Sequence, residues 1–329
     1  MNPVSSLSLP ARYRGRFAPS PTGPLHFGSL VAAVGSYLDA RAHGGDWLLR
    51  IEDVDAPRMV PVAADGILRT LAGFGFEWDG EVLVQSRRLD RYHAALVRLQ
   101  VDGDVYPCAC SRSEIAAATR QPSVDGGLVY PGTCRAGLAD GKAARAWRLR
   151  VPDQTLSFVD RVQGEVHQNP LRDVGDCVLL RADGQYAYQL AVVVDDAAQG
   201  VNAVVRGVDL LDSTARQMFL QQRLGLPTPT YAHLPVVVNA AGEKLSKQTQ
   251  AAAVTPSDGS ARLALAMDFL GHPVPSELRG VPVADFWRWA ISVWSMSRVP
   301  ALRGVFPGDL AEIGNGARGV SGAIPAGNG

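Results

Sequence analysis

Between positions 13 and 55 the apolar and polar residues follow the order of a βαβ unit. A short strand is predicted around 16–18, followed by a Pro- and Gly-rich loop and a helix over 29–42. Leu30, Val34, Tyr37 and Leu38 recur at helical spacing, Ser29 stands where an N-cap belongs, and Gly44 stands where a C-terminal glycine stops a helix. The next apolar stretch, 47–51, reads as a strand and runs into Arg50-Ile-Glu52-Asp53. A second helix is predicted over 87–100, capped by Ser86, with Leu89, Tyr92, Leu96 and Leu99 on its inner face and Gly103 as its stop. Arg87, Arg88 and Arg91 on that helix read as a solvated face.

The pattern then changes. From 106 to about 173 there are short strands and Gly/Pro turns with no long apolar helix, as expected of an inserted subdomain. Parallel-sheet character is predicted again at 177–180, 188–194 and 203–205, where continuous apolar runs end in charge at Asp195-Asp196 and at Arg206. A helix beginning at Asp212 or Ser213 and ending at Gly225 follows, with Ala215, Phe219 and Leu220 inward. A buried strand over 234–238 leads into the loop Glu243-Lys244-Leu-Ser-Lys247-Gln248. A last helix is predicted over 285–297 with Phe286, Trp289 and Val293 on one face, and Trp287, Trp289 and Trp294 read as core packing. Beyond 298 the chain turns to Gly, Ala and Pro, so poor order is expected over the last 20–30 residues. No internal repeat is visible.

These elements predict an α/β protein: a doubly wound parallel sheet of Rossmann type, interrupted by an α+β insertion and followed by a short helical part. The expected divisions are 1–105 and 176–240 for the two halves of the catalytic domain, 106–175 for the insertion, 241–298 for the lysine-bearing loop and helical appendage, and 299–329 for the tail. The length of 329 residues fits two domains, or one domain with a large insertion. An apolar share of 47% and a charged share of 19% exclude a fibrous or low-complexity chain. Zero net charge means that a nucleic-acid partner has to be met by a local patch rather than by a global field. No signal-peptide core and no membrane-length apolar run is present, so a cytoplasmic protein without membrane attachment is expected. Three of the four cysteines, Cys108, Cys110 and Cys134, fall close together. That clustering favours a metal site over a disulfide framework, although Cys-Ala-Cys lacks the usual C-x2-C spacing and three buried thiols remain an equal reading. Cys177, in an apolar run, reads as core.

In a doubly wound sheet, ligands bind beyond the carboxyl ends of the strands. Arg16, Glu52, Arg206 and the 244–247 loop all occupy such ends in the predicted arrangement. Two guanidinium groups and one carboxylate suit a small zwitterion with an extra acid, of which glutamate is the simplest; rim salt bridges are the competing reading. The loop Pro19-Ser-Pro-Thr-Gly-Pro-Leu-His26-Phe-Gly28-Ser29 precedes a helix N-terminus, a position that favours anions. Gly28 would admit a nucleotide base close to the backbone, and His26 is placed to donate to a phosphate.

That loop resembles the first signature of class I aminoacyl-tRNA synthetases in their glutamyl/glutaminyl form. Lys244-Leu-Ser-Lys-Gln248 resembles the second, the loop that clamps ATP phosphates. The likeness spans about 13–250 and includes Arg50-Ile-Glu-Asp-Val-Asp55 and the run from Tyr188 to Asp196. The wording of the two signatures, the cysteines and the roughly 80 residues after the lysine loop, with no anticodon-binding domain, resemble the subfamily that glutamylates queuosine in tRNA(Asp).

The resemblance implies ATP-dependent, tRNA-independent activation of L-glutamate to glutamyl-adenylate, then transfer to queuosine at the wobble position of tRNA(Asp). It assigns glutamate to Arg16, Phe17, Ala18, Pro19, Ser20, Glu52, Tyr188 and Arg206. It assigns ATP to Pro19, Thr22, Gly23, His26, Gly28, Ser29 and Lys247. His26, Lys244 and Lys247, with Mg²⁺, would form an electrostatic clamp on the reacting phosphate. It also implies a structural zinc on Cys108, Cys110, Tyr130 and Cys134, and a monomer. The competing readings are a truncated glutamyl-tRNA synthetase that charges a tRNA 3′ end, and a catalytically silent binder of tRNA or glutamate.

Overall fold

The computed structural model describes residues 12–239, 242, 244 and 252–309. The expected poor order of the last 20–30 residues falls mostly outside that range. β1 (Arg14–Phe17), α1 (Phe27–Ala42) and β2 (Asp46–Ile51) form the predicted βαβ unit, with β1 and β2 parallel and Arg16 opposite Leu48. α2 (Ala63–Gly73), which the sequence pattern did not reveal, leads to β3 (Leu83–Val84), parallel to β2. α3 (Leu89–Val101) then leaves the sheet.

The insertion follows. β4 (Val105–Cys108), α4 (Arg112–Ala118) and β5 (Ala146–Leu149) come first, then the hairpin of β6 (Leu156–Asp160) and β7 (Gly164–Gln168), the short α5 (Pro170–Asp173), and β8 (Val178–Leu180). β4, β5 and β8 make one antiparallel sheet in that order. The stretch 177–180 therefore belongs to an antiparallel sheet and not to the parallel one expected; a strand of three residues, Val178–Leu180, is too short to carry a periodicity that distinguishes the two.

The chain returns to the parallel sheet through α6 (Tyr188–Ala198), β9 (Ala203–Gly207), α7 (Leu211–Leu224) and β10 (Thr230–Leu234), with β9 and β10 parallel. The 188–194 run is thus the body of a helix, where a strand was expected. Leu190, Ala191, Val192, Val193, Asp195 and Asp196 are all buried, so the helix has no long polar face and its sequence lacks the amphipathic signal. β11 (Val236–Val237), α8 (Gly259–Phe269), α9 (Val283–Val293) and β12 (Gly304–Val305), parallel to β11, complete the described chain. Trp287 and Trp294 are buried and Trp289 packs against the same core, as expected.

β9 runs beside β1. The Arg14 amide donates to Asn202 Oδ1 at 2.8 Å, and the Asn202 amide donates to the Arg14 carbonyl at 3.1 Å. The second half of the sheet is thereby attached next to the first strand, on the side away from β2, and the order reverses between β1 and β9. Such a switch point opens a crevice beyond the strand ends. Alternation along the strands divides the two faces: Phe17, Leu49, Val205 and Ala232 join the core with α1, α8 and α9, whereas Leu48, Val204 and Tyr231 pack with Met218 of α7.

Two helix starts differ from expectation, both because a side chain found another partner. His26, rather than Ser29, caps α1: its Nδ1 accepts the Ser29 amide at 3.3 Å, so the helix begins at Phe27. Ser86 does not cap α3, because its amide and hydroxyl both donate to Asp53, at 2.8 and 2.7 Å. The helix ends at Gly44 and Gly225 are as expected, with φ of +61° and +63°.

Gly35 sets the distance between α1 and the sheet. A Cβ there would lie 2.5 Å from Leu234 Cδ1, in a fully buried contact. Gly35→Val is expected to destabilise the fold by about 2 kcal/mol, since overpacking outweighs the gain in helix propensity; urea unfolding of the two proteins measures the difference.

Candidate active site

The crevice at the switch point has a volume of about 540 Å³. Its walls come from the end of β1 and the loop into α1 (Arg16 to Ser20, Thr22, His26, Gly28, Ser29), from Glu52 after β2, and from Tyr188, Arg206 and Lys244. Residues far apart in sequence converge there, as the strand-end reasoning expected. Gly23, at φ +148°, lies in the turn of the loop and is not among the wall residues. Lys247 lies outside the described residues.

The floor is a buried charge network. Arg16 engages Asp196 through Nε at 3.1 Å and Nη2 at 3.4 Å. Arg50, fully buried, reaches Asp196 at 2.7 Å and Glu52 at 3.2 Å, and donates to Gln199 Oε1 at 2.8 Å. Burial pushes the Asp196 carboxyl up, but Arg16 and Arg50 outweigh it and hold the group below its ordinary value. At Glu52 burial prevails over Arg50 and Arg16, and the carboxyl stands above its usual range. Since the fork of Arg16 is already engaged, a bound carboxylate meets only the remaining edge of that guanidinium.

The neighbouring Asp195 ties α3 to α6. It accepts from Gln85 Nε2 at 2.9 Å, Arg88 Nε at 2.7 Å and the Tyr92 hydroxyl at 2.6 Å. Arg88 is therefore a structural cation, which corrects its reading as part of a solvated face; Arg87 and Arg91 remain exposed. Sequence reasoning had noted Asp195 and Asp196 only as the polar end of a strand. Their signal was the spacing: in a helix, positions seven and eight after Tyr188 return to its face.

A second set of contacts holds Arg206. Its Nε donates to His233 Nε2 at 3.0 Å, Nη1 to the Tyr188 hydroxyl at 3.3 Å, and Nη2 to Thr214 Oγ1 at 2.9 Å. His233 in turn places Nδ1 2.6 Å from Asp160 Oδ2, at the end of β6. With Nε2 accepting from a guanidinium, the imidazole is neutral and carries its proton on Nδ1 toward Asp160. Neither His233 nor Asp160 stood out in the sequence, because the β6–β7 hairpin and β10 meet only in three dimensions.

His26 lines the crevice while capping α1, and its Nε2 lies 3.1 Å from Ser29 Oγ. The free amides of the first turn of α1 sit beside it, the usual setting for an anion. Lys244 pairs with Asp209 at 2.6 Å on the opposite wall.

The insertion gathers the cysteines. Cys108 is the last residue of β4, and Cys110 follows two positions on. The Sγ atoms of Cys108, Cys110 and Cys134 lie within 4.8 Å of one another. The Tyr130 hydroxyl is 3.4 Å from Cys108 Sγ and 3.7 Å from Cys110 Sγ. Thiolates about 2.3 Å from a tetrahedral zinc stand roughly 3.8 Å apart, so the cluster fits such an ion. Burial raises the Cys108 thiol, but hydrogen bonds from Tyr130 and from Arg148, whose Nε is 3.2 Å away, bring it down to about 7. Cys177 is buried, as expected.

The profile of "tRNA synthetases class I (E and Q), catalytic domain" matches residues 12–262. The fold is that of this catalytic domain, and the chain belongs to the class I aminoacyl-tRNA synthetases of this type, a family of ligases. A glutamyl-Q tRNA(Asp) synthetase of Dechloromonas aromatica is 63% identical, over 88% of this chain and 96% of that protein. The enzyme of the same name from Chromobacterium violaceum is 59% identical over the same shares. Among solved structures, the glutamate-tRNA synthetase of Elizabethkingia anophelis superposes with a TM-score of 0.72 over 92% of this chain and 70% of that one, at 24% identity, a likeness of fold. Among the described residues no helix is long and apolar enough to cross a membrane.

Burial lowers the His233 imidazole to about 4, Asp160 opposing and Arg206 adding to the shift. The unfolded chain binds this proton near pH 6.5 and the folded one only near 4, so stability is expected to fall as pH drops through that window. Urea unfolding between pH 7 and 4 measures the slope, and His233→Gln is expected to flatten it.

Proposed function

We propose that the protein activates L-glutamate with ATP, without tRNA, and transfers the glutamyl group to queuosine at the wobble position of tRNA(Asp). The observation that carries this reading is the convergence of Arg16, Glu52, Tyr188 and Arg206 on one wall of a crevice whose other wall is the loop around His26. The names borne by relatives of 63% and 59% identity support it.

Glutamate binds against Arg16, Phe17, Ala18, Pro19, Ser20, Glu52, Tyr188 and Arg206. Guanidinium groups take its carboxylates and Glu52 takes its ammonium. A cation bound beside Glu52 favours its charged form and so opposes the effect of burial. ATP lies over Pro19, Thr22, Gly23, His26, Gly28 and Ser29, with its phosphates on the α1 N-terminus. A glutamate oxygen attacks the α-phosphorus and pyrophosphate leaves. The negative charge that gathers on phosphate oxygens is stabilised by His26, Lys244 and Lys247 together with Mg²⁺. No covalent enzyme intermediate and no general base is needed for this step.

Cys108, Cys110, Cys134 and Tyr130 hold a structural zinc. Four protein ligands leave no open position for a substrate, so the ion stiffens the insertion and takes no part in the chemistry. Metal analysis of the purified protein is expected to find one zinc per chain, and Cys134→Ser to lose it together with part of the thermal stability.

ATP–pyrophosphate exchange with glutamate and no tRNA tests activation; glutamate-dependent exchange is expected. Arg206→Ala is expected to raise the glutamate KM about 100-fold, the value of one charged hydrogen bond. Lys247→Ala is expected to lower kcat about 100-fold or more through loss of charge stabilisation. Exchange that appears only with tRNA(Glu), with glutamate recovered on the terminal ribose, would instead establish charging of a tRNA 3′ end.

A further inference from the structure

The turn of the β6–β7 hairpin holds His233 at both ends of its backbone. Asp160 Oδ1 accepts the amides of Val162, Gln163 and His233 at 3.0, 2.9 and 3.1 Å, and Gln163 Nε2 donates to the His233 carbonyl at 2.8 Å. Asp160 Oδ2 is left to face His233 Nδ1. Both side chains are buried and neither lines the crevice, so neither touches a ligand there.

The hydrogens of this chain of contacts all point the same way. Burial raises the Asp160 carboxyl, but the bonds from His233 and from the backbone outweigh it and hold the group below its ordinary value, so Asp160 is a charged acceptor. It keeps the imidazole proton on Nδ1 and leaves Nε2 to accept from Arg206 Nε. Arg206 Nη2 is committed to Thr214 Oγ1 and the Leu210 carbonyl, whereas Nη1 gives one hydrogen to the Tyr188 oxygen and has another to give. Burial raises the Tyr188 phenol, which therefore keeps its proton, and because its oxygen accepts from Arg206 the O–H is turned toward other acceptors. Arg206 and Tyr188 thus meet the crevice as donors. A carboxylate, which only accepts, is the matching ligand.

We propose that Asp160 and His233 are positioning residues for glutamate: the hairpin of the insertion fixes the imidazole tautomer, and the tautomer fixes Arg206 and Tyr188 as a donor wall for a glutamate carboxylate. The inference rests on the glutamate reading given under Proposed function. Asp160→Asn is a directed test of it. The backbone amides of Val162, Gln163 and His233 require an oxygen at the Oδ1 position, so the new NH2 group replaces Oδ2 and donates to His233 Nδ1. The imidazole proton then moves to Nε2. There it reaches Thr214 Oγ1, 3.2 Å away, but Arg206 Nε–H faces it without an acceptor and the guanidinium is driven from its position.

Two measurements on the full chain read these steps apart: isotope-edited NMR of the histidine rings for the tautomer, and ATP–pyrophosphate exchange for the site. His233 is expected to carry its proton on Nδ1 in the parent and on Nε2 in Asp160→Asn. The variant is expected to raise the glutamate KM about tenfold or more, with the ATP KM and the kcat at saturating glutamate within about twofold of the parent. Adding His233→Gln supplies an amide oxygen toward Arg206 that depends on no tautomer, so the double variant is expected to recover most of the lost affinity, where a merely structural role would bring a further loss. Should Asp160→Asn fail to fold, His233→Gln is expected to stay within about threefold of the parent glutamate KM and His233→Leu to exceed it about tenfold. An unchanged glutamate KM in Asp160→Asn, a rise shared equally by ATP, or a double variant worse than the single one would overturn the proposal, as would a His233 proton on Nε2 in the parent. Absence of exchange in the parent would instead overturn the activation reading, with the tautomer still read by NMR.

Discussion

Arg50 sits at the end of β2 with its guanidinium wholly out of water, and the surrounding structure is arranged so that this charge is compensated. Asp196 and Glu52 supply the counter-charge and Gln199 a further acceptor. Asp196 is shared with Arg16, so a four-membered network of two cations and two anions joins β1, β2 and α6. Removing one partner from such a buried set leaves an uncompensated charge, at a cost of about 3–5 kcal/mol. The network therefore restricts how the two halves of the sheet can meet, although nearly 150 residues separate Arg50 from Asp196.

Three of its four members, Arg16, Glu52 and Asp196, stand at or directly under the crevice, so the constraint that assembles the fold also places the candidate ligand groups. The same economy recurs on the other wall. Arg206 is held by Thr214, Tyr188 and a neutral His233, and His233 is oriented by Asp160 from the hairpin of the insertion. A guanidinium fixed on several sides loses little conformational freedom when it meets a carboxylate, which is the physical basis of a pre-organised site.

The insertion is anchored to the catalytic domain at several points: by the contact of Asp160 with His233 behind Arg206, by the ion pair of Arg161 with Asp39 of α1, and by the ion pair of Asp125 with Arg216 in the seam between the two. The cysteine cluster closes the stretch of the insertion that carries Asp125, with Arg148 stacked over the Tyr130 ring at 3.7 Å and bonded to Cys108.

Much was legible in the sequence because it is local. The turn glycines at 44 and 225, the helical spacing of α1 and α3, the parallel pair formed by β1 and β2, and the loop before α1 all depend on near neighbours, and so do the cysteines that share one strand end. The strand-end rule was enough to bring Arg16, Glu52 and Arg206 to one crevice. What the tertiary structure decided is where burial erased the local signal. The run after Tyr188 is a helix because it is packed nearly all round, which hides the polar face that would have announced it. Asp195, Asp196, Asp160, His233 and Arg216 acquire their roles from partners 70 to 180 residues away or from opposing elements. A buried charge is compatible only with a fold that brings its counter-charge, and no window of neighbouring residues contains that information.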